Sequence, residues 1–221
     1  MHRRLCLASP LLALLGCQHG AGPGPLAPLP EVEGGAEIAI RRGPDAGMYL
    51  KVRPPLVVGP YSNMVIRKGR ISGIHCGGGL DVTAGPGRIS GFGPGGGVVE
   101  MEVWGDDADV SVEGLWNGAY GHLESTPESL RLSLALNPTR VERGRVIGAR
   151  HRSYSFRRAA EGLFTGTPMV NGTAQWTTLE VGRNARAYLS REELLALVMM
   201  MFAGGIDPGG GLGDPLACGA R

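Results

Sequence analysis

The sequence lacks any apolar run long enough for a membrane-spanning helix. One hydrophobic stretch covers residues 5–15 and a second covers residues 194–203. A transmembrane helix needs about 20 predominantly apolar residues. Neither stretch is therefore expected to cross a bilayer as a helix.

The chain also has little excess of positive charge and few aromatic residues. It carries 22 Lys and Arg against 20 Asp and Glu, and Lys51 and Lys68 are its only lysines. Nucleic-acid-binding proteins use a basic surface to neutralise phosphates, often with aromatic side chains that stack on bases. Neither feature is present, so no nucleic-acid partner is predicted.

Motifs for metal, phosphate and nucleophilic chemistry are missing as well. No CxxC or His/Cys spacing indicates a zinc site, and the DxDxDG calcium loop is absent. Glycines 93 and 95–97 lack the Lys-Ser/Thr of a phosphate loop. Ser72 and Ser90 lie in Gly-Arg-Ile-Ser-Gly, which is not the Gly-x-Ser-x-Gly nucleophile elbow. The sequence therefore predicts no metal, no cofactor and no catalytic residue.

His75 and Cys76 are adjacent in the chain. Successive side chains on a strand point to opposite faces of the sheet. We therefore expect these two residues not to form a Cys–His pair.

What the sequence does contain is an export signal at its start. Arg3-Arg4 precede the apolar stretch 5–15, and Leu14-Leu15-Gly16-Cys17 closes it. These last four residues resemble the lipobox of bacterial lipoproteins. The resemblance implies that Cys17 is acylated, becomes the first residue of the mature chain, and holds the protein to a membrane of the cell envelope. An export signal without lipidation is the alternative.

Cleavage before Cys17 changes the interpretation of the residues that follow. Removing residues 1–16 takes away Arg3 and Arg4 and no acid, which leaves 20 positive and 20 negative side chains. Residues 17–34 form a Pro- and Gly-rich tract that supports neither helix nor sheet, so we expect a tether.

A β domain is predicted over residues 35–189, a helix over 190–203 and a glycine-rich tail over 204–221.

The cysteines divide by position. Cys6 leaves with the signal and Cys17 takes the lipid, so Cys76 and Cys218 remain. In an oxidising compartment these two can form a disulfide that fastens the tail to the β domain. Two unrelated thiols are the alternative.

The mature chain has the pattern of an all-β domain. It contains 38 Gly and 16 Pro, yet 43% of its residues are hydrophobic. Residues 99–103 and 108–113 alternate at period two around a turn at 104–107. Residues 130–134 alternate in the same way and are expected to end at Asn137-Pro138. This pattern predicts an antiparallel meander, either sandwich or barrel-like.

Two short segments recur along the chain. Residues 69–73, Gly-Arg-Ile-Ser-Gly, reappear at 87–91, and residues 113–118 resemble residues 161–166. A constant short period would indicate a β-solenoid, which is the alternative fold. Because the period fails after two copies, we interpret the repeats as equivalent short strands between glycine bends.

The C-terminal helix has clear boundaries. Ser190 and Glu193 form a capping box, and Gly204-Gly205 provide a stop. Residues 194–203 are apolar on every side, which is typical of a buried helix. We expect it to pack over one face or end of the sheet. Docking onto a partner or a lipid surface is the alternative.

Two charged surfaces are candidates for binding. One acidic surface is predicted from Glu100, Glu102, Asp109 and Glu113. An anion-binding surface is predicted from Arg145, Arg150, Arg152 and Arg157. Its ligands would be anionic head groups or cell-wall carboxylates, because guanidinium groups suit phosphate and carboxylate. The alternative is a simple solvated face for the acidic set, and pairing with the acidic set or solvent exposure for the basic set, and these alternatives are favoured over binding.

The sequence as a whole favours a lipid-anchored envelope protein with a binding or structural role. Its partners would be the membrane, through the acyl chains, and an envelope protein or the cell wall. The alternatives are an envelope hydrolase and a subunit docked through the 194–203 helix. A histidine beside Asp or Glu in a deep pocket would favour the hydrolase.

Overall fold

The computed structural model describes residues 34–43, 46–142, 145–170, 173–203, 206–207, 211–212, 214, 216 and 218. The predicted signal, Cys17 and all but the last residue of the tether lie outside this part of the chain. Side chains at positions 46, 137–142, 145–150, 170, 206–207 and 211–212 also lie outside it.

Fourteen strands form one closed antiparallel barrel. The strands follow one another around the barrel in chain order up to β13, and β16 closes it between β13 and β1. This confirms the all-β, barrel-like prediction, and the β-solenoid is wrong. The barrel strands are β1 (Ala36–Arg42), β2 (Ala46–Arg53), β3 (Leu56–Gly59), β4 (Ser62–Arg67), β5 (Arg70–His75), β6 (Gly78–Gly85), β7 (Arg88–Phe92), β8 (Val98–Gly105), β9 (Val110–Trp116), β10 (Ala119–Ser125), β11 (Ser129–Glu142), β12 (Arg145–Ala160), β13 (Leu163–Gly166) and β16 (Thr177–Val181).

Two short hairpins and two helices complete the described fold. β14 (Met169–Val170) pairs with β15 (Thr173–Ala174), and residues 171–172 between them lie outside the described part. A second small hairpin joins β17 (Ile206–Asp207) to β18 (Gly211–Leu212). Helix α1 (Ala185–Tyr188) precedes helix α2 (Arg191–Ala203). No helix in the described ranges is long and apolar enough to span a membrane.

Alternation along the strands separates an apolar interior from a polar exterior. On β8, Val99, Met101 and Val103 are buried, whereas Glu100 and Glu102 are exposed. The same period-two pattern recurs in neighbouring strands, so the inner face of the barrel becomes the hydrophobic core.

Helix α2 lies inside the barrel. Its predicted capping box is present: the Glu193 amide donates to Ser190 Oγ at 3.1 Å, and the Ser190 amide donates to the Glu193 carboxylate at 2.8 Å. Residues 195–203 are all buried. The sequence placed this helix over one face or end of the sheet, but the barrel encloses it because every side is apolar. It therefore offers no exposed apolar face to a partner or a lipid surface.

The two ends of the barrel are distinct. The helix starts at what we call the entry end, where the Arg191 guanidinium donates to the Gly105 carbonyl beside the 106–109 turn. It finishes at what we call the tail end, where the Met200 carbonyl accepts a hydrogen bond from His75. Phe202 packs there against Tyr154 and Phe156 of β12. The chain thus runs once through the barrel, from the entry end to the tail end.

The first sequence repeat marks equivalent bends, as predicted. Gly73 in β5 and Gly91 in β7 have φ of +145° and +139°. A Cβ atom would lie 2.3 Å from the Asn63 carbonyl oxygen at the first position and 2.2 Å from the Asp81 carbonyl oxygen at the second. The second repeat is different, because Gly114 lies within β9 whereas Gly162 lies in the turn before β13.

Strand β11 does not end at Asn137-Pro138. It continues to Glu142 and stays paired with β12, with a register shift between Pro138 and Arg140. A bulge tolerates a residue that cannot donate to the ladder. The expected strand end at proline is therefore wrong.

Candidate functional site

A cavity opens at the entry end of the barrel, beside the start of α2. Its volume is about 380 Å³. It lies between the two helices and the inner wall formed by β9, β10, β11, β13 and β16. We call it the entry pocket.

The interior of the entry pocket is apolar. Inward-facing strand side chains form one wall, and the first turns of α2 form the other. These residues are Val110, Leu123, Leu130, Phe164, Leu179, Val181, Leu194, Leu195 and Val198. Such a wall favours contact with hydrocarbon, because burying apolar surface is favourable by about 25 cal/mol per Å².

The mouth of the entry pocket is charged. Four arginines and two carboxylates line it, so it carries a net positive charge. They are Arg158, Arg183, Arg186, Arg191, Asp107 and Glu161.

A rigid turn positions one side of this mouth. Asp106 Oδ1 accepts hydrogen bonds from the amides of Ala108 and Asp109, at 2.8 and 3.0 Å. These bonds hold the pKa of Asp106 below its usual value, because they stabilise the charged carboxylate. The turn presents Asp107 to Arg186, whose Nη1 lies 3.0 Å from Asp107 Oδ2. This exposed ion pair links α1 to the β8–β9 turn.

Two arginines of the mouth have no carboxylate partner among the described residues. Arg158 donates to the carbonyl oxygens of Pro127 and Ala160, at 3.3 and 3.4 Å. Arg183 is exposed and makes no hydrogen bond or ion pair within the described part of the chain. Their guanidinium groups are thus the cations of the mouth that can accept an anion without breaking an ion pair.

The pocket combines a hydrocarbon-lined interior with a cationic mouth. That arrangement is complementary to an amphiphile with an apolar chain and an anionic head. None of the described residues that line it is a histidine or a cysteine. The condition that would favour a hydrolase, a histidine beside a carboxylate in a deep pocket, is therefore not met there.

The tail end of the barrel carries a second group of reactive side chains. A disulfide joins Cys76 to Cys218. Cys76 Sγ also lies 3.1 Å from Nε2 of the neighbouring His75. The expectation that these adjacent side chains point apart is wrong, because Cys76 lies in the β5–β6 turn with φ of +50°, outside the strand. A left-handed residue breaks the alternation that the prediction assumed.

His75 is fully buried and hydrogen-bonded. Its Nδ1 lies 2.7 Å from Ser62 Oγ. Burial lowers the pKa of His75 to about 4, against a smaller opposing effect of the hydrogen bond to the Met200 carbonyl. The imidazole is therefore neutral near pH 7. Ser62 and His75 resemble part of a catalytic triad. The partners of the ring in the described part of the chain are Ser62, Cys76 and the Met200 carbonyl, and none of them is a carboxylate.

The predicted acidic residues lie on or beside the outer face of β8 and β9. Glu102 lies directly opposite Glu113 in the register. Glu113 accepts hydrogen bonds from Tyr120 and His122, and Glu100 pairs with Arg88 at 2.7 Å. The pKa of Tyr120 is raised to about 12, first by burial and then by its bond to the Glu113 carboxylate.

Asp109 differs from the other three acids, because it lies in the turn before β9. Partner side chains offset the charges of Glu100 and Glu113. This surface is an ordinary network of outer-face contacts.

The predicted basic residues do not share one described surface. Arg152 pairs in register with Leu134, on the same side of β12 as buried Tyr154 and Phe156. Arg157 is exposed and falls on the opposite side of the strand. The side chains of Arg145 and Arg150 lie outside the described part. The described members therefore do not come together as predicted.

The sequence analysis did not identify the entry pocket. Its lining comes from segments spread between positions 107 and 198, and these meet only when the barrel closes. One local signal was available. Arg183 and Arg186 precede the buried helix and Arg191 is its first residue, so the three arginines fall close together where the chain enters the barrel.

No family model matches the chain, and no curated protein and no solved structure matches it significantly.

Proposed function

We propose that this protein is a lipid-anchored protein of the bacterial cell envelope that binds a single-chain anionic amphiphile, such as a fatty acid, in the entry pocket. The observation that carries the proposal is the pairing of an apolar interior with an arginine-rich mouth. The volume, about 380 Å³, falls near the lower end of the range for small-molecule sites. A single hydrocarbon chain of medium length suits such a space.

The two parts of the pocket have different energetic roles. Each buried CH₂ group contributes about 0.8 kcal/mol, so the chain supplies most of the affinity. Arg158 and Arg183 select the head group, because guanidinium groups form paired hydrogen bonds with carboxylates and phosphates. Cationic and uncharged head groups lack that interaction.

The expected anchor gives this binding a location. Acyl chains on Cys17 would keep the barrel beside a membrane, where amphiphiles are concentrated. The tether, residues 17–34, would allow movement of up to roughly 60 Å at about 3.3–3.6 Å per residue. Under this proposal the protein takes up, holds or transfers amphiphiles at the membrane surface.

Metabolic labelling with a fatty-acid analogue tests the anchor. We expect label on the wild-type protein and none on Cys17→Ala. Equal labelling of the two proteins would rule out acylation at Cys17.

Head-group selectivity tests the ligand. Decanoate, decanol and decyltrimethylammonium share one chain and differ in charge, and each is titrated below its micelle-forming concentration. We expect decanoate to displace a fluorescent fatty acid most strongly. The double variant Arg158→Ala/Arg183→Ala should lose most of this preference. Arg67→Ala, which removes an exposed arginine that does not line the pocket, should keep it. Equal displacement by all three compounds would contradict the assignment of the arginines.

A further inference from the structure

The tail end of the barrel brings together three potential metal ligands. The ligand atoms of His75, Cys76 and Cys218 all lie within 4.8 Å of one another. Thiolate sulfur and imidazole nitrogen are the ligands that zinc prefers in proteins. The sequence analysis considered a Cys76–Cys218 pair but no metal site, because Cys218 lies 142 positions away from Cys76 and no ligand spacing is visible.

The surroundings of His75 are those of a metal-binding histidine. Ligating histidines usually donate their second ring N–H to a hydrogen-bond acceptor, which fixes the tautomer and the ring orientation. Two groups can accept it here. Ser62 Oγ lies 2.7 Å from Nδ1, with both residues buried, and the Met200 carbonyl also accepts a hydrogen bond from the ring. Metal binding requires the tautomer that carries its proton on Nδ1, which leaves the lone pair of Nε2 beside Cys76 Sγ, 3.1 Å away.

The turn geometry explains how two adjacent residues act together. The left-handed conformation of Cys76 places its sulfur on the side of the His75 ring. Cys218 then approaches from the segment that follows α2 and meets both.

We propose that reduction converts the Cys76–Cys218 disulfide into a binding site for one thiophilic divalent cation, such as Zn²⁺, held by both thiolates and His75 Nε2. A dithiol reductant supplies two electrons and two protons, which gives two cysteine thiols and the oxidised reductant. The cation then displaces the two thiol protons and forms two metal–sulfur bonds and one metal–nitrogen bond. In either state a link remains between the tail and the β5–β6 turn.

Cobalt binding by the full chain in detergent tests this proposal. The protein is reduced with a dithiol, freed of reductant under anaerobic conditions and titrated with Co²⁺. We expect thiolate-to-cobalt charge-transfer absorption that saturates at one cobalt per chain and disappears when Zn²⁺ is added. The oxidised protein should show no such absorption, because it offers no thiolate at this site.

Variants assign the absorption to named ligands. Cys76→Ser and Cys218→Ser should abolish it, whereas Cys17→Ser should retain it. Ser62→Ala should weaken cobalt binding by roughly 10-fold, since it removes a group that orients the ring. Near-ultraviolet circular dichroism of the reduced wild-type protein verifies folding without any substitution.

Three results would overturn the proposal. The first is a reduced protein with two free thiols at positions 76 and 218 and no charge-transfer absorption. The second is absorption that persists in Cys218→Ser. The third is a wild-type protein that unfolds on reduction and does not refold when Co²⁺ is added.

Discussion

Cys218 is bonded to Cys76 across 142 positions of the chain, which fastens the segment after α2 to the β5–β6 turn. A second link supports the same segment: Arg42 Nη1 lies 2.6 Å from Asp214 Oδ2 at the tail end of the barrel. The helix that fills the barrel is thus held on its C-terminal side. The entry pocket lies at the other end, away from both links.

Loss of the disulfide should destabilise the oxidised protein. Cys218→Ser removes a cross-link that closes a long loop and restricts the unfolded chain, so we expect the free energy of unfolding to fall by about 2–4 kcal/mol. Urea denaturation measures this change. The reduced, metal-free wild-type protein should show a similar loss, and amphiphile binding should be unchanged in both. An unaltered urea midpoint would show that the disulfide does not support the fold.

The bend at Gly91 should reject any side chain. Alanine there would place Cβ 2.2 Å from the Asp81 carbonyl oxygen, at a φ of +139°. We expect Gly91→Ala to lower the free energy of unfolding by about 1–3 kcal/mol or more. Gly79→Ala is the matched control, because a Cβ atom at Gly79 meets no atom within 4 Å. Equal stability of the two variants would argue against a glycine requirement at this bend.

Burial of neutral His75 should make stability depend on pH. The pKa of His75 is about 4 in the folded state, against an ordinary value of 6.5. The unfolded chain therefore binds the proton more readily between these values. In the folded state the partners of His75 are Ser62, Cys76 and the Met200 carbonyl. None of them carries a charge that would favour the imidazolium. The neutral ring therefore contributes fully to the free energy of unfolding above pH 6.5. This contribution falls as the pH drops toward 4, by roughly 3 kcal/mol in total.

Urea unfolding of the oxidised protein at several pH values measures this effect. His75→Asn should lack the part of the pH dependence that His75 supplies, while the carboxylates titrate as before. Parallel curves for the two proteins would contradict the assignment to His75.

Local features of the fold were predictable from neighbouring residues. The capping box of Ser190 and Glu193 lies within four positions, and the alternation of β8 is visible within eight. The turn between β8 and β9 follows from Gly105, Asp106 and Asp107. Each of these depends on hydrogen bonds or side-chain directions that are set over a few residues.

Features that depend on distant pairing were not predictable in the same way. The contact of β1 with β16 closes the barrel and joins Ile38 to Val181, yet no local pattern encodes that partner. Closure is also what encloses α2 and creates the entry pocket. Cys76 shows a smaller version of the same problem, because its left-handed turn overrides the strand alternation assumed from sequence.

A larger side chain at one position can fill the entry pocket, and the same substitution outside the pocket provides a control. Val198 of α2 lines the entry pocket, and Val58 of β3 is an exposed valine outside it. Val198→Phe and Val58→Phe therefore add the same atoms inside and outside the proposed site.

Calorimetric titration of these proteins with decanoate tests the central claim most directly. We predict one decanoate per wild-type chain, the same binding by Val58→Phe, and a strong loss of binding by Val198→Phe, with both variants folded by circular dichroism. Absence of binding to the wild-type protein, or equal binding by Val198→Phe, would contradict the claim that the entry pocket holds an anionic amphiphile.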